Sequence, residues 1–71
     1  MSERAVGCLY EYTIRHREAQ PRYYFVMSYD GIIHAQGEPW YQYQIWDYSR
    51  NQQLTYTIKQ PIEEIKEWRE V

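Results

Sequence analysis

The chain has 71 residues, enough for one domain and one hydrophobic core, which excludes linkers and domain pairs. Eight Lys and Arg against ten Asp and Glu leave a net charge of −2, which gives no overall attraction to nucleic acid or anionic lipid and confines any such binding to a local patch. Two Leu, three Val and seven Ile stand beside nine Tyr and three Trp, so aliphatic residues are few and aromatic rings supply most of the apolar area.

Each Tyr carries a hydroxyl that must reach water or a partner, so many of these rings belong at the edge of the core or in an interface. A domain this small folds with little to spare, and a second copy, as a homodimer, would add stability. No run approaches the ~20 apolar residues of a membrane span. The first fifteen residues lack the basic-then-apolar order of a leader, and the only cysteine is Cys8. A cytoplasmic protein without membrane association is the expectation.

Val6–Arg15 alternates strictly, with Val6, Cys8, Tyr10, Tyr12 and Ile14 on one face, and predicts a half-buried strand. His16–Pro21 is a polar loop ended by proline. Arg22–Tyr29 and Ile32–Gln36 are two further strands, joined by Asp30–Gly31, a pair suited to the positive φ angles of a type I′ turn. That turn sets Tyr29 opposite Ile32 and Met27 opposite His34.

Gly37, Glu38 and Pro39 interrupt the pattern. Pro39 could open a helix, but Trp40–Tyr48 is aromatic-rich and nearly alternating, and predicts a strand with Tyr41, Tyr43 and Ile45 on one side and Trp40, Trp46 and Tyr48 on the other. Leu54–Lys59 is the fifth strand. Pro61–Val71 predicts a helix: Pro stands at its first position, acidic residues follow, and Ile62, Ile65 and Trp68 form an apolar stripe that must pack on the sheet. The fold class is therefore α+β, mainly an antiparallel β meander of about five strands with one short C-terminal helix. A small SH3-like, partly open barrel is one closure of such a meander, an analogy of architecture that says nothing of ligand.

Catalysis finds little support. Cys8 lies on the apolar face of a strand, where a thiol packs as a small hydrophobe. His16 and His34 share no ligand spacing, so a metal site with Cys8 would need an accident of folding. Glu63, Glu64, Glu67 and Glu70 read as a solvated helix face, and no phosphate loop or serine elbow is present. No catalytic residue, metal, cofactor or small-molecule substrate is implied.

Two binding classes are left. The reading that uses what is abundant is a non-catalytic protein–protein interaction module, an adaptor or regulatory inhibitor. Its partner is another protein or a second copy, and its patch is Trp40, Tyr41, Tyr43, Trp46 and Tyr48. Any of those rings could instead fill the core. The alternative is a small single-stranded nucleic-acid-binding domain. There Arg15, Arg17 and Arg22 would meet phosphates or an acidic partner beside Tyr23 and Tyr24, a cluster that Glu18 dilutes and that equally fits a solvated hairpin tip.

Overall fold

The computed structural model describes residues 2–13 and 20–71. A 3-10 turn over Ser2–Ala5 leads into strand β1, Leu9–Tyr12. Strand β1 is shorter than predicted because Val6 and Gly7 form a turn, with Gly7 at φ +86°, and the predicted end at Ile14 and Arg15 lies outside the described residues.

The two predicted strands around Asp30–Gly31 are one. Strand β2 spans Arg22–Ala35, and the reversal comes at Gln36–Gly37, where both residues have positive φ (55° and 78°) between the paired Ala35 and Glu38. Asp30–Gly31 instead forms a bulge, with Gly31 at φ +99°, and a second bulge lies at Met27. The register accordingly sets Tyr29 against Tyr43 and Ile32 against Tyr41, replacing the predicted pairing within the hairpin.

Strand β3, Glu38–Asp47, pairs with β2 along its length, so Pro39 opens no helix. Pro39 sits where β3 has no neighbour but β2, because strand β4, Gln52–Ile58, begins its pairing at Tyr41. Between β3 and β4, the buried Asp47 accepts the backbone N–H groups of Ser49 (2.9 Å) and Arg50 (3.2 Å) on Oδ1, and Asn51 at φ 57° completes the turn.

The predicted C-terminal helix does not form. Ile62–Glu64 is a single 3-10 turn, and strand β5, Trp68–Glu70, follows it. Pro61 and Ile65, on either side of the turn, are extended (ψ 150° and 119°). An eleven-residue helix is marginal by itself, and the competing arrangement supplies more contacts. The Ile62 N–H donates to Tyr43 Oη (3.3 Å), β5 pairs antiparallel with β1, and Trp68 is stacked in the core.

The result is one five-stranded antiparallel sheet in the order β4-β3-β2-β1-β5, with no α-helix among the described residues. No helix there is long and apolar enough to cross a membrane. The inner face holds Tyr10, Tyr24, Val26, Tyr43, Ile45 and Trp68, capped by Ala5 and Ile62 from the two 3-10 turns. Trp68 stacks on Tyr24 (5.0 Å, 11° between planes) and on Tyr56 (5.1 Å, 26°). Tyr56 lies on one edge strand and Trp68 on the other, so the sheet is curled far enough for its two edges to share an aromatic stack.

Candidate outer-face binding surface

Side chains alternate along a strand, and directly paired residues share a face. Val26, Ile45 and Leu54 form an inward row, which places the next row, Leu9, Phe25, Trp46 and Gln53, on the opposite face across β1, β2, β3 and β4. Met27 is 41 % exposed at the adjoining bulge, and Tyr48 is 57 % exposed just beyond β3, with its ring 6.5 Å from that of Trp46 and nearly perpendicular to it. Ala5 and Ile62 of the two 3-10 turns belong to the inner cluster, so no described element lies over this outer row.

Further along β3, the outward positions are Gln44, Gln42 and Trp40. The two glutamines converge on Asp30, which the bulge in β2 aims outward. Gln44 Nε2 donates to Asp30 Oδ2 at 2.7 Å, Gln42 Nε2 to the same oxygen at 3.3 Å, and Ser28 Oγ to Oδ1 at 3.5 Å. Gln44 Oε1 in turn accepts from Thr55 Oγ1 (3.1 Å) and Gln53 Nε2 (3.5 Å). The amides of Gln44 and then Gln42 hold the Asp30 carboxyl below its ordinary pKa, opposed by desolvation and assisted by Ser28. Beyond this belt, Trp40 donates its indole N–H to Ala35 O (3.4 Å), and Lys59 Nζ lies 5.2 Å from its ring centre while pairing with Glu38 (2.9 Å). At the opposite end of the face, Arg69 and Glu11 form an ion pair at 2.7 Å, which raises the Arg69 pKa.

The sequence-derived patch is therefore divided between the two faces. Trp40 and Trp46 are outward and Tyr48 is exposed beside Trp46, whereas Tyr41 is inward and half-buried near Tyr29. Tyr43 is 0 % exposed and belongs to the core. Of the second cluster, Arg15 and Arg17 lie outside the described residues, Arg22 and Tyr23 are exposed, and Tyr24 is buried against Trp68.

Leu9, Phe25, Met27, Asp30, Gln42 and Gln44 lie outside the patch that the sequence predicts. The alternation of WYQYQIW does place both glutamines opposite Tyr41 and Tyr43, but the Asp-Gly turn signal hid the role of Asp30.

Cys8 is half-buried on the inner side, and its Sγ–H donates to Arg4 O at 3.6 Å. Desolvation raises its pKa first, with further contributions from Glu70 and Glu63. Among the described residues no group of three or more His, Cys, Asp or Glu is placed to hold a metal ion. Comparison with known proteins finds no matching family model, no matching curated protein and no matching solved structure.

Proposed function

We propose that the chain is a non-catalytic protein-interaction module, an adaptor or regulatory inhibitor, that engages another protein or a second copy of itself through the outer face of the sheet. The observation that carries this reading is the row Leu9, Phe25 and Trp46 with the exposed Met27 and Tyr48, a half-apolar surface over which no described element packs. Trp46 has no acceptor for its indole N–H among the described residues, so it offers both apolar area and a donor, the combination that makes Trp an interface anchor.

The architecture supporting that face is read as an SH3-like, partly open barrel, on the strength of the meander order, the pairing of β5 with β1 and the 3-10 turn before β5. Such a scaffold serves many ligands and selects none. The non-catalytic reading is supported by Cys8, whose neighbouring carboxylates and partial burial favour the thiol over the nucleophilic thiolate.

Sedimentation equilibrium at several protein concentrations, with and without a mixed-sequence single-stranded oligonucleotide at low and moderate salt, tests the reading for a second copy. A photo-crosslinker at Tyr48, with one at Glu64 as control, extends it to other proteins. Self-association or a protein adduct from Tyr48 and not from Glu64, weakened by over about 1 kcal/mol in Trp46→Ala, supports the outer face. Salt-dependent oligonucleotide binding without either result reverses the ranking and moves the site to the Arg22 and Tyr23 end.

A further inference from the structure

We infer that the outer face seats a cationic side chain of its protein partner, an arginine above all, on the carboxylate of Asp30 between the Trp46 and Trp40 rows. This rests on the outer-face reading and names the chemistry of the partner.

The first support is the conformation that presents the carboxylate. Two bulges interrupt β2 within five residues, and the one at Asp30 requires Gly31 at φ +99°. Bulges re-aim side chains, and this one brings an acidic residue out onto a face whose neighbouring rows are aromatic.

The second support is the unused acceptor capacity. A carboxylate has about four lone-pair sites. Oδ2 takes both glutamine amides, whereas Oδ1 has a single described donor, Ser28, at 3.5 Å. Oδ1 is therefore open to a strong donor from outside, and the glutamines hold the carboxylate in place before any ligand arrives.

The third support is charge balance on this face. Glu11 is paired with Arg69 and Glu38 with Lys59, and no described cation pairs with Asp30. Successive outward rows along a strand lie ~7 Å apart, so Trp46 is one row from Gln44 and Trp40 one row from Gln42. A guanidinium, planar and weakly hydrated, can bond a carboxylate edge while its stem lies along an aromatic ring, which an ammonium does less well. Lys59 over Trp40 is an instance on the same face of a cation set against a ring.

The test is a titration of isotopically labelled protein with the blocked peptide acetyl-Gly-Arg-Gly-amide and with its Glu counterpart, read at the side-chain amide resonances of Gln42 and Gln44. The Arg peptide is expected to shift both resonances with millimolar affinity and the Glu peptide to leave them in place. Asp30→Asn, checked for retained chemical-shift dispersion, should weaken Arg binding by about tenfold, whereas Glu11→Gln should not. Equal shifts with both peptides overturn the cation seat, as does unchanged Arg binding in Asp30→Asn or an equal loss in Glu11→Gln. A Tyr48 adduct that depends on Trp46 but is indifferent to Asp30→Asn leaves the docking face standing and removes the cation from it.

Discussion

Trp68 on β5 stacks on Tyr56 of β4 at 5.1 Å, joining the two strands that lie farthest apart in the order of the sheet. The same indole lies flat on Tyr24 and within 6.2 Å of Tyr12, so one side chain ties β1, β2, β4 and β5 together. Truncation would leave a cavity that the surrounding strands cannot close without uncurling. Trp68→Ala is expected to cost about 3–5 kcal/mol in urea denaturation, and Trp68→Phe clearly less. A loss below about 1 kcal/mol for the alanine variant would show that the stack is not what holds the two edges together.

The β2–β3 reversal supplies a second prediction, because Gln36 holds a φ of 55° that its side chain does not favour. Asn adopts this region more readily, and Asn-Gly is the preferred pair for a type I′ turn. Gln36→Asn is expected to stabilise the protein by about 0.5 kcal/mol, whereas Gly37→Ala, at φ 78°, should cost about 1 kcal/mol or more. Thermal melts of the two variants should move in opposite directions. Parallel shifts would place the reversal elsewhere.

The same turn explains what could and could not be read from the residues. The strands from Tyr41 to Ile45 and from Leu54 to Ile58 were legible because their inward positions alternate without a break. Asp30–Gly31 is the stronger local turn signal but loses to Gln36–Gly37, since continuing β2 through a bulge lets Ile32 and Ile33 pair with Tyr41 and Trp40. The helix expected over Pro61–Val71 rests on Pro61 at its first position, the acidic residues after it and a spacing of three among Ile62, Ile65 and Trp68. A 3-10 turn followed by a strand satisfies that spacing equally, and the choice between them is made by β1, distant in sequence. The face that carries the candidate site was half legible. Trp40 and Trp46 follow from alternation, whereas Asp30 becomes a site residue only once the bulge turns it towards Gln42 and Gln44.

Tyr10 supplies a prediction at alkaline pH. It is buried, and desolvation first, then the charges of Cys8, Glu63, Glu70 and Tyr43, push its pKa up to about 12 from 10.0. A group whose folded pKa is raised contributes stability that is complete below its unfolded value and disappears as pH climbs through the folded one. The protein should therefore lose stability between pH 10 and about 12, with Tyr56, also raised by burial, adding to the slope. Tyr10→Phe should flatten that loss, and phenolate absorbance should show one fewer late-titrating ring. An unchanged alkaline slope in the variant would remove Tyr10 as its source.

Asp30 gives the opposite sign. Its folded pKa is depressed below 3.8 by the amides of Gln44 and Gln42, with Ser28 assisting, so the stability it contributes is present above the unfolded value and is lost as pH falls through the folded one. At neutral pH, Asp30→Asn should be less stable than the parent, because an amide accepts the two glutamine N–H groups less strongly than a carboxylate does. Below about pH 4 the parent carboxyl begins to protonate and the difference should narrow. Asp30 is exposed, so added salt should shrink the neutral-pH difference as well. Denaturation midpoints of both proteins across the acidic range decide the matter. A constant gap would mean that the amides hold the protonated and the ionised carboxyl equally well, so that the charge of Asp30 lends the fold no stability through Gln42 and Gln44.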